Sequence, residues 1–139
     1  MTAKDIRDQL LRISTADDFA ARSAELTDVW SSAGAGLETV EPVLQFMEEY
    51  PAIDFGMPGA LVHFVERFYR KGYEEKLVES VQRKPTSVTV WMLNRVINGT
   101  KAPDVKQRLI ATMEQVRLNP RAETGALEMA DRFLARLSR

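Results

Sequence analysis

The amino-acid sequence predicts an all-helical protein made of stacked antiparallel helical hairpins. Three observations lead there. Apolar side chains recur at spacings of three and four over most of the chain, and no bounded run of period-two alternation demands a strand. Tyr50-Pro51, Lys84-Pro85 and Asn119-Pro120 also recur, with their prolines 34 and 35 residues apart. Proline disfavours helix in the residue before it and suits the first turn of the helix after it, so each pair separates two helices.

The first helix is expected over residues 3–13, burying Ile6, Leu10 and Ile13. A second follows Thr15, where Thr15 and Asp18 have the spacing of a capping box, and its stripe is Phe19, Ser23, Leu26 and Trp30. Ser31-Ser32-Ala33-Gly34-Ala35-Gly36 breaks it and is the best candidate for a flexible joint. Three helix pairs are then read over residues 37–139. The first has helices over 38–50 (Val40, Leu44, Met47) and 58–71 (Leu61, Val65, Phe68, Tyr69), with Gly72 as a left-handed stop. The second has helices over 73–84 (Tyr73, Leu77, Val78, Val81) and 87–98, the latter with Thr86 or Ser87 as cap and a Val88–Met92–Val96 stripe. The third has helices over 104–118 (Val105, Leu109, Met113, Val116) and 121–138 (Leu127, Ala130, Phe133, Leu134, Leu137). With the N-terminal pair in residues 1–33 this makes a single all-helical domain. A period near 34 residues with two helices per unit suits an α-solenoid of the HEAT or tetratricopeptide kind, and a compact helical bundle is the alternative.

The 139 residues are enough for one core, and 45% hydrophobic with 28% charged residues is a globular balance. The absence of cysteine excludes disulfides, thiolate metal sites and a thiol nucleophile. The N-terminus lacks the order of a secretory signal, and no stretch approaches the roughly 18 apolar residues of a membrane span, so a cytoplasmic protein without membrane contact is expected. The net charge of −1 conceals a polarity: residues 1–54 carry 4 basic and 11 acidic side chains, residues 55–139 carry 15 and 9. Such a field steers charged partners without identifying them.

No recognisable catalytic set is present. His63 is the only histidine, which removes multi-histidine metal sites; with Glu66 and Arg67 it forms either an acid–base pair for a small hydrolase or, on the reading preferred here, a packed and hydrogen-bonded helix histidine. Glu48, Glu49 and Asp54 read better as a solvated helix end than as a carboxylate site, and neither cofactor nor metal is expected. Asp54-Phe55-Gly56 matches the kinase metal-binding triplet only as letters, since the phosphate loop is missing.

Two segments stand out as binding elements. Residues 50–59 hold two prolines, two glycines and large apolar side chains; Tyr50, Asp54 and Phe55 suit recognition, while Ile53 and Phe55 suit equally well a plug between helices. On the helix after Pro85, Trp91, Asn94, Arg95 and Asn98 share one flank, and in a stack they would line a face with His63, Arg67 and Arg70. Tryptophan and arginine are favoured at interface hot spots. Nucleic acid is the lesser alternative, because Lys101, Lys106, Arg108, Arg117, Arg121, Arg132, Arg136 and Arg139 are interspersed with Asp104, Glu114, Glu123, Glu128 and Asp131 and no nucleic-acid motif accompanies them.

The segment from Tyr50-Pro51-Ala52-Ile53-Asp54-Phe55 to Phe68-Tyr69, with Arg83-Lys84-Pro85-Thr86 and Trp91-Met92-Leu93-Asn94-Arg95-Val96-Ile97-Asn98-Gly99, resembles small bacterial proteins grouped with immunity proteins of polymorphic toxin systems. The resemblance covers residues 50–99. It implies a cytoplasmic antidote that binds one toxin domain and blocks its active site or delivery, with no chemistry of its own. The sequence leaves the oligomeric state open.

Overall fold

The computed structural model describes residues 1–56 and 58–137. Among them the regular structure is entirely helical. The α-helices are α1 (Ala3–Ile13), α2 (Phe19–Ser32), α3 (Val40–Glu49), α4 (Gly59–Glu66), α5 (Tyr73–Arg83), α6 (Ser87–Gly99), α7 (Pro103–Gln115) and α8 (Thr124–Leu137), with 3-10 turns at Leu37–Thr39 and Val116–Leu118. The sequence reads as one domain, and its contacts group into two compact units, Met1–Lys76 and Leu77–Arg139, divided within α5.

In the first unit α1 pairs with α2 and packs on α3, while α4 pairs with α3 and packs on α2. In the second, α6 packs on α8 and α7 contacts both. Three pairs, α1 with α3, α2 with α4 and α6 with α8, thus meet two helices along the chain, as in successive hairpins laid on one another. Pro51, Pro85 and Pro120 fall in the turns between α3 and α4, α5 and α6, and α7 and α8, where the 34-residue spacing puts them.

Ile6, Leu10, Trp30, Leu44 and Met47 are fully buried in the first unit, and Leu77, Met92, Leu93, Ile97 and Met113 in the second. Burying side chains of this size contributes roughly 1.5–3 kcal/mol each. Trp30 also satisfies its indole N–H, which donates to Gln9 Oε1 at 2.7 Å, and its ring meets Phe64 edge-on with centroids 5.3 Å apart.

Several local expectations need correction. Thr15 and Asp18 do not form a capping box: Asp18 is itself the N-cap of α2, makes no side-chain cap bond and receives Arg22 Nε at 3.2 Å. The box forms at Thr2 and Asp5 on α1 instead, and a second joins Thr86 and Thr89 at the start of α6. The expected joint after α2 is a hydrogen-bonded stop. Gly34 takes φ +70°, its N–H donates to the Ser31 carbonyl (3.1 Å), and the Ala35 N–H donates to the Trp30 carbonyl (2.9 Å), the two bonds of a Schellman cap.

The helix expected over 58–71 ends at Glu66, because bonds from the N–H groups of Arg67, Phe68 and Tyr69 shorten to carbonyls three residues back. Arg70 then takes φ +64°, ahead of Gly72 at +115°. Val88, Ile13, Leu26, Val78, Leu127 and Leu137 are only half-buried and Val105 is exposed; α6 instead buries a broader face that adds Thr89, Val90, Leu93 and Ile97. The last helix starts at Thr124, since residues 119–123 turn back so that the Glu123 N–H reaches the Pro85 carbonyl at 3.1 Å. Met57, Ser138 and Arg139 lie outside the described residues.

Candidate functional site

The loop between α3 and α4 is shaped by its own backbone. The Tyr50 N–H closes α3 on the Phe46 carbonyl (3.0 Å), the Ile53 N–H bonds to Tyr50 (3.2 Å), and the Asp54 carboxylate accepts the Gly56 N–H (2.9 Å). Gly56 has φ +83°, and a Cβ there would lie 2.8 Å from Gly59 Cα, so only glycine fits the turn.

This geometry drives Phe55 inward. The residue is 7% exposed, and its ring meets those of Phe19 and Phe46 edge-on, with centroids 5.7 and 6.1 Å away. Phe55 is the plug between helices, and the alternative of a surface contact through its ring is corrected. Tyr50 is half-buried with its ring 4.9 Å from that of Phe46, Ile53 is half-buried, and Asp54 is exposed.

The solvated helix end also needs amendment. Glu49 is exposed and ion-paired with Arg7, whose guanidinium is held protonated more firmly than usual by this hydrogen bond, but Glu48 is buried at 6% exposure. Among the described residues no cluster of three His, Asp or Glu side chains has a geometry to hold a metal ion.

On α4 and the turn after it, His63, Arg67 and Arg70 are all exposed. His63 is not the packed histidine expected: its side chain is 65% accessible, with Nδ1 4.0 Å from Glu66 Oε1, beyond hydrogen-bonding distance. Arg67 is held on two sides, donating to Ser31 Oγ at 2.8 Å and lying 5.1 Å over the Phe64 ring that packs on Trp30. Arg70 is held through its backbone, its N–H donating to both oxygens of the Glu74 carboxylate (2.9 and 3.0 Å), with its guanidinium 5.7 Å over the Tyr69 ring.

In the second unit the expected flank of α6 is present. Trp91 and Asn94 are half-buried, Arg95 and Asn98 are exposed, and Arg95 lies 5.0 Å over the Trp91 ring. The structure therefore gives each unit an outward surface on which arginines rest on aromatic rings, Arg67 and Arg70 in the first unit and Arg95 in the second. Sequence reasoning gave Ser31 to the joint and Tyr69 to the helix stripe and did not single out Phe64, and so missed these groups as the ones that hold Arg67 and Arg70. The spacing of Phe64 to Arg67 and the adjacency of Tyr69 and Arg70 were the available signals. No family model matches the chain, and no curated protein or solved structure matches it.

Proposed function

We propose that the chain is a non-enzymatic protein-binding module, and that its particular role is that of an immunity protein neutralising a cognate bacterial toxin by occlusion. The observation that carries this reading is the set of exposed arginines lying on rings: Arg67 over Phe64, Arg70 over Tyr69 and Arg95 over Trp91. Ordering long cationic side chains at a surface costs conformational entropy. A partner meeting them already ordered avoids that cost, and arginine beside an aromatic ring is the chemistry of interface hot spots. Occlusion asks no chemistry of this chain.

The charge division supports a second reading. Residues 1–76 carry 8 basic and 14 acidic side chains, and residues 77–139 carry 11 and 6, so the second unit is a basic body that nucleic acid would approach.

The deciding experiment is affinity capture with the full chain as bait, with and without nuclease, at moderate and high salt. A single stoichiometric protein that survives nuclease and is lost with Arg67→Ala or Trp91→Ala supports the binding module. Recovery of nucleic acid alone would transfer the assignment to the second reading.

A further inference from the structure

A groove of about 610 Å³ lies in the second unit, between the C-terminal end of α5 and the end of α7 with the turn that follows it. It shares no residue with the surfaces of the proposed function. Its base is closed by Val81, Val116 and Thr112, which are 1%, 2% and 8% exposed, and the apolar side chains it leaves open are Leu118 and Pro120. Its rim carries exposed Gln115, Leu118 and Arg121.

The walls are fixed without a ligand. Asn119 Nδ2 donates to the Gln82 carbonyl across the groove at 2.8 Å, and Asn119 Oδ1 accepts the Arg121 N–H at 2.9 Å. A preformed cleft of this size has the dimensions of a ligand site, and its lining mixes apolar side chains with polar ones. Leu118 is 83% exposed at its edge, the most exposed large hydrophobic side chain among the described residues. The charged side chains that line the groove, Arg83 and Arg121, are both basic, and the unit carries 11 basic against 6 acidic side chains.

We propose that this groove is a docking site for an acidic peptide segment bearing a bulky aliphatic side chain. The aliphatic group lies against Leu118 and Pro120, and the flanking carboxylates meet Arg121. The positive field of the unit draws such a segment in and repels basic ones. Nucleic acid fits less well, because phosphodiesters would leave Leu118 and Pro120 without an apolar partner.

The test is fluorescence anisotropy of the full chain with a labelled peptide of alternating Glu and Leu, beside a Glu-only and a Lys–Leu peptide. The proposal expects saturable binding of the Glu–Leu peptide alone, weakened about tenfold by Arg121→Glu and by Leu118→Ser. Both residues are exposed, so unchanged thermal melts show that the variants remain folded. Absent saturation, equal binding by the variants, equal binding of either control peptide, or equally effective displacement by a single-stranded oligonucleotide would overturn it. Sedimentation showing self-association abolished by both variants would also overturn it, making a second copy the occupant.

Discussion

The Glu123 carboxylate accepts hydrogen bonds from both the backbone N–H (3.0 Å) and the hydroxyl (2.7 Å) of Ser87, a residue 36 positions earlier. The N-terminus of α6 is thereby capped twice, by Thr86 within its own turn and by a side chain from the turn just before α8. Hydrogen bonds to a charged group contribute about 1.5–3 kcal/mol. Glu123→Ala is expected to destabilise the second unit by that order, read as a lower urea midpoint at unchanged slope; an unchanged midpoint would show the clasp to be energetically idle.

Gly125 lies against the same clasp. A Cβ there would fall 2.3 Å from Ser87 Oγ, too close for any rotation of so short a side chain to relieve while it holds Glu123. Gly125→Ala should therefore destabilise, although alanine in a helix is ordinarily favoured over glycine by about 0.5–1 kcal/mol. In the Ser87→Ala background the same change should become neutral or stabilising. Equal effects in both backgrounds would remove the steric argument.

Phe55→Ala opens a hole among Phe19 and Phe46, and core losses of this size cost about 3–5 kcal/mol. Thermal denaturation should show a large fall in midpoint. A variant as stable as the parent would return Phe55 to the surface and to a direct role in recognition.

The Asp5 carboxylate is held below its ordinary pKa of 3.8 chiefly by the Thr2 backbone N–H that it accepts, and further by the Thr2 side chain. A lowered folded-state pKa gives stability that is fully present above the unfolded value and is lost as pH falls through the folded one. Asp5→Asn should therefore matter at neutral pH and cease to matter in strong acid. Hydrogen exchange at the α1 amides of both proteins, at both ends of that range, measures it; a difference that persists in acid would contradict the assignment.

Arg70 holds a left-handed backbone that costs a residue with a side chain roughly 1–2 kcal/mol. Arg70→Gly relieves this and gives part of it back as unfolded-chain entropy, so a gain of up to about 1 kcal/mol is expected. A clear loss by chemical denaturation would mean that the Tyr69 contact outweighs the backbone term.

Helix positions were legible where the signal was local. The recurring prolines marked three of the turns between paired helices, and α1 occupies the expected residues 3–13. What escaped was non-local or set by small competitions between neighbouring residues. Thr15 lost to Asp18 as the N-cap, while the Thr2-Ala3-Lys4-Asp5 box went unread. Periodicity ran α4 on through Phe68, because an aromatic residue that stays against Phe64 after the helix has ended keeps the same sequence spacing. The flank of α6 was readable from its spacing, but the burial of Phe55 depended on Phe19, which belongs to another hairpin. The clasp at Glu123 left no trace in the sequence, since nothing local pairs residue 123 with residue 87.

The placement of the two tryptophans gives each unit its own optical reporter. Trp30 is fully enclosed in the first unit, and Trp91 is partly open to water beside Arg95 in the second. An enclosed indole emits at shorter wavelength than a wetted one, so replacing either ring by phenylalanine leaves a chain whose fluorescence follows the other unit alone. One pair of variants would then show whether the two units melt together or in succession.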